Sequence, residues 1–273
     1  MAGFHAHFVC KASGAQRRHL SDDALLVHIK AVHAENRGAY GWPRIWKELL
    51  ARGIRVGKER VQKLMQLHGI RGKGKKRFKV TTDSNHDLPI SPNLLQREFT
   101  VSTPNRVWAG DITYIATDEG WLFLAVVIDL FSRKVVGWSL QDTRTRGIVI
   151  DAIRMAWFNR HPNKCGGLIF HSDRGSQYAS KDFRDALKEY GITSSMSRKG
   201  DCWDNACSET LFGSLKVERL HGQRFKTRRD AKDEVVAWLG WYNSKRLHST
   251  LNYISPMQFE KNWFADLPKQ ANS

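Results

Sequence analysis

Cysteine is scarce in this sequence, and its positions argue against a disulfide framework. The four cysteines among the 273 residues are Cys10, Cys165, Cys202 and Cys207, and no two of them form a C-x-x-C pair. Free thiols in a reducing compartment are the default expectation for such a pattern. A zinc site joining Cys202 and Cys207 to His221 is an alternative, although the spacing fits no common zinc motif.

Long apolar runs are also missing, which argues against a membrane-spanning protein. No run approaches the roughly 18 apolar residues that a membrane-spanning helix needs. Residues 1–8 lack the charged start and the apolar core of a signal peptide. We therefore expect a cytoplasmic protein with no membrane partner.

Acidic residues are few relative to basic ones. The chain carries 44 Lys and Arg against 27 Asp and Glu, a formal net charge of +17, and its first 100 residues hold 19 basic and 8 acidic residues. A protein this basic usually meets a polyanion, and without a membrane signal nucleic acid is the favoured partner. The hydrophobic fraction of 41% is high enough to bury a core, so we do not expect a disordered chain.

The N-terminal part is predicted to form a small all-helical domain after a tail at residues 1–20. Ser21 can cap a first helix, Pro43 suits the first turn of a second, and Gly69 can end a third. A Gly-containing turn before the third helix favours a helix-turn-helix DNA-binding module over residues 21–80. The polar residues expected to face mostly outward from the third helix, with the two lysines as candidate DNA contacts, are Lys58, Arg60, Gln62, Lys63 and Gln66. A plain three-helix bundle with a solvated basic face remains the alternative.

A basic run and a proline-containing stretch follow these helices. Lys75, Lys76 and Arg77 lie in the run at 71–79, where they can contact DNA phosphates without reading the base sequence. A solvated linker is the simpler interpretation of the same run, and the two are compatible. Residues 81–104 contain three of the seven prolines and little periodicity, so we predict an interdomain linker there.

The rest of the chain alternates strands and helices. Five apolar stretches are predicted as strands, at 107–115, 121–129, 134–140, 167–171 and 192–195. Thr143 is predicted to cap a helix that runs to Arg160. Further helices are predicted around 180–190, 204–220 and 228–246. This order indicates an α/β fold with a mixed five-stranded sheet and flanking helices over 105–222, followed by a helical extension over 223–273.

Three carboxylates lie where burial is costly unless a partner offsets it. Asp111 falls inside the first predicted strand, Asp173 follows the fourth, and Glu209 lies in a predicted helix. Carboxylates brought together repel one another and raise one another's pKa. A divalent cation removes both costs, and Mg²⁺ prefers oxygen ligands together with substrate phosphate. Two such ions about 3.5–4 Å apart can clamp the attacking and leaving oxygens of a phosphoryl transfer.

These carboxylates lie in segments that form a recognisable set. The segments are WAGDITY at 108–114, HSDRGSQY at 171–178 and SRKG at 197–200, together with YGWPRI at 40–45 and the downstream residues Asp204, Asn205, Ala206, Glu209, Leu215, Lys216, Trp241, Tyr242, Asn243, Arg246, Leu247, His248, Ser249, Leu251 and Pro256. In order and spacing they resemble insertion-sequence transposases whose second reading frame, OrfB, carries a retroviral-integrase-like domain. The 35 residues between Asp173 and Glu209 match the DD(35)E spacing of that superfamily.

The resemblance implies a ribonuclease-H-like catalytic core and a DNA transposase. It implies that Asp111, Asp173 and Glu209 bind two Mg²⁺ ions, for which Mn²⁺ can substitute. A metal-activated water would cut at the element's end and free a 3′ hydroxyl, which would then attack target DNA without a covalent enzyme–DNA intermediate. No zinc-binding His/Cys module like that of retroviral integrases precedes the core, so we expect an N-terminal domain without metal.

The same resemblance carries expectations about partners and place. The chain would act as a homo-oligomer on the element ends and target DNA, in the nucleoid of a bacterial cytoplasm. In this family OrfB is often made as a fusion to an upstream OrfA protein, so OrfA is a further expected partner.

The predicted helix with Glu209 would turn one face to DNA. Asn205, Glu209 and Lys216 are related as i, i+4 and i+11 and fall on one face at 3.6 residues per turn. Leu211 and Leu215 would pack on the opposite side.

Basic residues next to the candidate site are further candidate DNA contacts. Arg174 follows Asp173, while Arg198 and Lys199 lie in a Gly-containing loop and suit phosphate contacts. A solvated turn is the alternative for the loop pair.

Other polar residues have simpler interpretations. Asp129 favours a turn or strand-end role over that of a fourth ligand, and Asp118 and Glu119 suit a hairpin turn with Gly120. His171 can orient Asp173 or shuttle a proton, or it can be a hydrogen-bonded histidine at a strand end.

Three further residues are expected to have structural roles, in helix capping or core packing. Asp204 is expected to cap the Glu209 helix. Trp238 and Trp241 are expected to pack in the core rather than stack on bases.

Two rival function classes are open at this point. One is a different ribonuclease-H-like nuclease, such as a resolvase or a hydrolase of RNA–DNA hybrids, against which the helical module and the 35-residue spacing argue. The other is a DNA-binding regulator without catalysis, against which the three intact carboxylates argue.

Overall fold

Two compact units make up the chain. The computed structural model describes residues 20–74, 88–96, 98–198 and 205–270, and the units are divided after Gly74. None of the described helices combines the length and apolar character that crossing a bilayer requires.

The first unit contains three helices, α1 (Asp22–Glu35), α2 (Trp42–Ala51) and α3 (Lys58–Leu67). Ser21 caps α1 as predicted, since its hydroxyl accepts a hydrogen bond from the Ala24 amide at 3.2 Å. Gly69 follows α3 with φ +64°, a left-handed conformation that ends a helix with little strain in glycine. The apolar residues that face one another and are fully buried between the helices are Leu25, Ile29, Val32, Ile45, Leu49 and Val61.

The second unit is built on a five-stranded mixed sheet, which confirms the predicted fold class. Its strands are β1 (Val107–Thr117), β2 (Gly120–Asp129), β3 (Val135–Gln141), β4 (Ile169–Ser172) and β5 (Thr193–Met196). They lie side by side in the order β3-β2-β1-β4-β5. The first three pair antiparallel, whereas β4 and β5 run parallel to β1.

Helices cover both faces of this sheet. The helices of the second unit are α4 (Arg146–Arg160), α5 (Ser176–Ala179), α6 (Lys181–Glu189), α7 (Ala206–Leu215), α8 (Arg228–Ser244) and α9 (Pro256–Gln270). One apolar core lies between the sheet and α4, α5 and α6, and a second lies between the sheet, α7 and α8. A buried strand therefore carries apolar residues in both directions, as residues 122–128 of β2 do.

Two local features differ from the sequence prediction. The helix α4 begins at Arg146 with Thr145 at its N-cap, so Thr143 does not cap it. Lys216–Leu220, which we expected to continue an α-helix, forms a π-helix directly after α7. A π-helix carries i→i+5 hydrogen bonds and changes the direction in which later side chains point.

The end of the segment predicted as a linker contacts the sheet. The Leu94 amide donates to the Ser195 hydroxyl at 2.9 Å, and the Met196 amide donates to the Pro92 carbonyl at 3.4 Å. Leu95 is buried against β1. Residues from about Ser91 onward thus belong to the sheet unit, while 75–87 lie outside the described residues.

A buried polar network fastens α9 to the end of α4. Arg160 donates to both Asp129 and Glu260 at 2.9 Å, and Glu260 also accepts from Lys134 at 2.9 Å. The side chains of Asp129 and Glu260 are almost fully buried. Asp129 therefore has the strand-end role that its sequence position predicts.

Candidate active site

Two aspartates meet where β1 passes the end of β4. These strands are parallel, with Ala109 opposite His171. Continuing this register by two residues sets Asp173, which directly follows β4, beside Asp111 in β1. Both side chains line one cleft with a volume of about 30 Å³. This space holds a water or two, or a metal ion, but no nucleotide.

The cleft concentrates negative charge in a partly dry setting. Burial raises the pKa of Asp111 well above its ordinary value, and the nearby charges of Asp173 and Glu209 raise it further. Burial raises the pKa of Tyr178 as well, and the charges of Asp111 and Asp173 raise it further. Backbone amides offset part of this cost, because Ile112 donates to Asp111 at 2.7 Å and Gly175 donates to Asp173 at 2.9 Å. Such a site favours a bound cation.

Glu209 lies close to this cleft but does not line it. Its side chain is exposed on α7, and partial desolvation raises its own pKa. Its charge nevertheless reaches Asp111, whose pKa it helps to raise. Within the described ranges, no three His, Cys, Asp or Glu side chains stand close enough to enclose an ion. The structure thus brings two of the three predicted carboxylates together and leaves the third at longer range.

Arg144 shares the cleft, although no sequence motif distinguishes it. It lies past the end of β3 and lines the same space as Asp111 and Asp173. Its positive charge lowers the pKa of Asp111 against the effects of burial and like charge. Its carbonyl accepts a hydrogen bond from the Gln177 side chain at 3.3 Å. Only its position after β3 could have suggested this role.

Lys216 and Asn205 differ in their surroundings. The Lys216 ammonium lies 5.4 Å from the centroid of the Tyr114 ring. Burial lowers the pKa of Lys216, and the charge of Asp111 opposes that change. Asn205 is 7% exposed, and its Oδ1 is one of four buried side-chain atoms without a hydrogen-bond partner in the described part of the chain. Lys216 therefore lies beside the site, whereas Asn205 lies inside the protein and its DNA contact stays a prediction.

The opposite side of α7 is apolar, as predicted. Leu211 and Leu215 are buried in the core between the sheet and α8. Their burial holds α7 against the sheet.

Arg174 connects the two loops beside the cleft. Its Nε donates to the Ser197 carbonyl at 2.7 Å, which joins the segment after β4 to the segment after β5. Arg198 follows Ser197 and is exposed. Lys199 and Asp204 lie outside the described residues, so the DNA contact predicted for the first and the cap predicted for the second stay predictions.

The first unit presents basic residues on α3. Lys58 and Lys63 are exposed on this helix, as predicted. Arg60 instead donates to the Asp22 carboxylate at 2.6 and 2.8 Å, and so ties α3 to the start of α1. The predicted basic contacts Lys75, Lys76 and Arg77 lie outside the described residues.

A buried ion pair holds the π-helix against the C-terminal region. Arg246 donates to Glu218 through Nη2 at 2.7 Å and through Nε at 3.0 Å, and both side chains are 5% exposed. The Trp238 indole donates to the same carboxylate at 3.0 Å. Trp238 thus packs in the core, as expected. We refer to this contact as the Glu218–Arg246 pair.

Two candidates with alternative roles have ordinary partners. His171 is buried, with Nδ1 2.9 Å from the Ser195 hydroxyl, so it is a hydrogen-bonded histidine at a strand end. Cys207 accepts from the Arg133 guanidinium at 2.7 Å, and a cation in that position disfavours a zinc ion there. Cys202 lies outside the described residues.

Known proteins resemble this chain over most of its length. A family model described as "HTH-like domain" matches residues 21–78, and two described as "Integrase core domain" match 101–202 and 190–256. The chain is 41% identical over 247 residues, 90% of each chain, to the "Insertion element IS600 uncharacterized 31 kDa protein" of Shigella sonnei. It is 43% identical over 234 residues, 85% of this chain and 80% of the relative, to "Transposase InsF for insertion sequence IS3A" of Escherichia coli strain K12.

Two solved structures show a weaker likeness. The HTLV-2 integrase catalytic core domain in complex with magnesium, in its trimeric form, matches with a TM-score of 0.42 at 18% identity, covering 57% of this chain and 96% of that chain. The simian T-cell lymphotropic virus intasome in complex with PP2A regulatory subunit B56 gamma matches with a TM-score of 0.47 at 16% identity, covering 85% of this chain and 73% of that chain. Both TM-scores are below 0.5.

Proposed function

The chain belongs to the IS3 family of insertion-sequence transposases, and we propose that Asp111, Asp173 and Glu209 are the carboxylates with which it cuts and joins DNA. In the proposed reaction, a water attacks the phosphorus at the element's end, the bond to the 3′ oxygen breaks, and the products are a free 3′ hydroxyl and a 5′ phosphate. That hydroxyl then attacks a phosphodiester of the target DNA and displaces one of its oxygens.

One observation carries the assignment of the site. Asp111 in β1 and Asp173 directly after β4 fall opposite each other in register and share a small cleft. Burial first and the nearby charge of Asp173 second raise the pKa of Asp111, and perturbed carboxylates in a cleft are typical of functional sites.

The donor set fits a divalent cation. Two carboxylates in the cleft, with a third nearby, suit Mg²⁺ or Mn²⁺, and the negative charge accumulated there would be neutralised by such an ion. When bound, Mg²⁺ would lower the pKa of the attacking hydroxyl or water and stabilise charge on the scissile phosphate. We propose two ions, held by Asp111 and Asp173 with Glu209.

Basic side chains would hold the substrate against these carboxylates. Arg144 lines the cleft, and the charge of Lys216 reaches Asp111, so both can attract a phosphate to a site that would otherwise repel DNA. Arg174 would keep the flanking loops in place through its hydrogen bond to Ser197. Ile112 and Phe123 form the apolar part of the cleft lining.

The helical unit and further partners complete the proposal. Lys58 and Lys63 on α3 would contact the element ends through phosphates. We propose that the chain assembles as a homo-oligomer on DNA, in the nucleoid of a bacterial cytoplasm, and that it works with or is fused to an OrfA protein.

The first test replaces one carboxylate without changing its size. Asp173→Asn should abolish cleavage and strand transfer on an element-end duplex in Mg²⁺, because the amide cannot supply the negative charge that holds the ion. DNA affinity, measured by fluorescence anisotropy in the absence of divalent ions, should stay within about twofold of wild type.

A matched variant separates the site from general charge effects. Asp185→Asn removes an exposed carboxylate that pairs with Lys181 on α6, and it should leave strand transfer unchanged. Retained cleavage by Asp173→Asn would remove Asp173 from the catalytic set.

A further inference from the structure

Two large aromatic side chains stand exposed at the edge of the candidate active site. Tyr114 is 38% and Trp121 51% exposed, and their rings meet edge to face with centroids 5.0 Å apart. Tyr114 in β1 pairs with Phe123 in β2. Trp121 lies two residues from Phe123 along β2 and is therefore the diagonal neighbour of Tyr114 on the same face of the sheet. We name this surface the Tyr114–Trp121 platform.

The platform is continuous with the cleft. Tyr114 lines the same space as Asp111 and Asp173. It follows Asp111 by three residues along β1, which is about 10 Å at the rise of a strand. A strand within duplex DNA advances about 3.4 Å per nucleotide and an opened strand advances further, so this distance spans at most about three nucleotides.

Two basic side chains lie close to the platform, and one carboxylate, that of Glu119, accepts from the Arg228 amide at 2.7 Å. The Lys216 ammonium lies 5.4 Å from the Tyr114 centroid, and Arg228 donates through Nε to the Trp121 carbonyl at 3.2 Å. Arg144 lines the adjoining cleft. Exposed aromatic rings among basic side chains suit a polyanion with flat, stackable groups better than they suit an apolar protein surface.

We propose that the Tyr114–Trp121 platform stacks an unpaired base of the strand being processed, within about three nucleotides of the scissile phosphate. The proposal rests on the proposed function, because Asp111 marks where that phosphate lies. Stacking would hold the strand open beside the carboxylates, and it would tolerate any base, since every base has a flat face.

The test follows a fluorescent base. The full-length chain carrying Asp173→Asn is titrated, in Ca²⁺, onto an element-end duplex with 2-aminopurine opposite an abasic site at each of the three positions on either side of the cleavage point. In the free duplex this base is brighter than in an intact duplex, because without a partner it spends part of the time outside the base stack. We expect binding to quench it at one or more of these positions.

Platform variants define the expected loss. Tyr114→Leu and Trp121→Leu keep apolar bulk but remove the flat ring, so each should lose the quenching and weaken binding of this duplex about 5- to 150-fold. Tyr114→Phe and Trp121→Phe should retain both. Phe158→Ala removes an aromatic on α4 that is 60% exposed, and it should match the parent chain.

The outcomes separate this proposal from the catalytic one. Folded leucine variants, checked by circular dichroism, that quench and bind like the parent would overturn the platform. Leucine variants that bind the duplex normally but no longer self-associate in sedimentation would also overturn the proposal. The surface would then bind a second copy of the chain rather than a base. Cleavage of the element-end duplex by Asp173→Asn in Mg²⁺ would refute the catalytic assignment. The quenching of 2-aminopurine needs no cleavage, so it would still test stacking.

Discussion

At the scale of single residues, Gly110 shows why the residue before Asp111 has no side chain. A Cβ placed there would lie 2.3 Å from Cζ of Phe170, which is buried in β4. The same pairing of β1 with β4 brings Asp111 and Asp173 together, so the close contact at Gly110 and the geometry of the cleft have one origin.

Gly110→Ala should therefore destabilise the protein by about 1–3 kcal/mol, because the methyl group forces Phe170 or a strand to move. Denaturant unfolding followed by circular dichroism measures this change. Gly240→Ala is the matched control, since nothing lies within 4 Å of that position on an exposed turn of α8, and it should stabilise by up to about 1 kcal/mol. Equal stability of Gly110→Ala and wild type would contradict this prediction, because it would show that Phe170 or the strand moves aside at no cost in free energy.

Residue identity predicted only part of the site. Asp111 and Asp173 could be placed from their strands and motifs, because register fixes which side chains face each other. Arg144 could not, because its position depends on how the loop after β3 meets the end of β4. The burial of Asn205 could not be predicted either. Helix periodicity indicates which residues of α7 share a face, but it does not indicate which part of the protein covers the start of the helix.

At the scale of elements, the π-helix after α7 decides where two neighbouring side chains go. Lys216 at its start lies over Tyr114, while Glu218, two residues later, is buried against Arg246. The Glu218–Arg246 pair joins the end of α7 to the segment after α8, and α7 carries Glu209. This explains why Arg246 belongs to the set of family-like residues although it lies 37 positions after Glu209 in the chain.

Arg246→Met should destabilise the protein by about 3–5 kcal/mol, because it leaves the Glu218 carboxylate buried without its cation. The double variant Arg246→Met with Glu218→Gln should recover part of that loss, and thermal unfolding of the four proteins gives the coupling. The exposed ion pair Lys181–Asp185 is the comparison, and Lys181→Ala should change the midpoint little. Additive effects of the two buried changes would mean that the pair is not coupled.

Element boundaries were predictable where one local signal dominated. Ser21 caps α1 and Gly69 follows α3, as their chemistry indicates. Thr143 and Thr145 offer the same chemistry two residues apart, but Thr145 stands at the N-cap of α4 without a side-chain capping hydrogen bond, so threonine chemistry alone does not fix where the helix begins. The π-helix has no local signal, because it depends on contacts made by Glu218 at a distance in sequence.

At the scale of the whole molecule, charge is the property that the sequence alone predicts best. The net charge of +17 is shared by two units, one with exposed lysines on α3 and one with basic residues around the carboxylate cleft. The arrangement of strands and helices followed from periodicity, and the mixed sheet confirms it. The net charge does not predict which surface of each unit meets DNA, because it does not say where on that unit the basic side chains lie.

Binding to an element-end duplex should fall steeply with salt, by about 10³–10⁵ between 50 and 200 mM if six to ten phosphates are neutralised. The double variant Lys58→Ala with Lys63→Ala should lower the slope of log affinity against log salt by about 1.8, for two lost phosphate contacts. Lys30→Ala, an exposed change on α1, should leave the slope unchanged. A slope unaltered in the double variant would indicate that α3 faces away from DNA.

The π-helix sets the direction in which the residues beyond α7 point. Glu218 follows Glu209 by nine positions; Glu209 is exposed near the carboxylate cleft, whereas Glu218 is buried against Arg246. A π turn holds one residue more than an α turn, so the same five residues wound as an ordinary α-helix would rotate everything beyond them by roughly 100°, the turn of one residue. The π-helix therefore sets the angular phase between α7 and the chain that follows it.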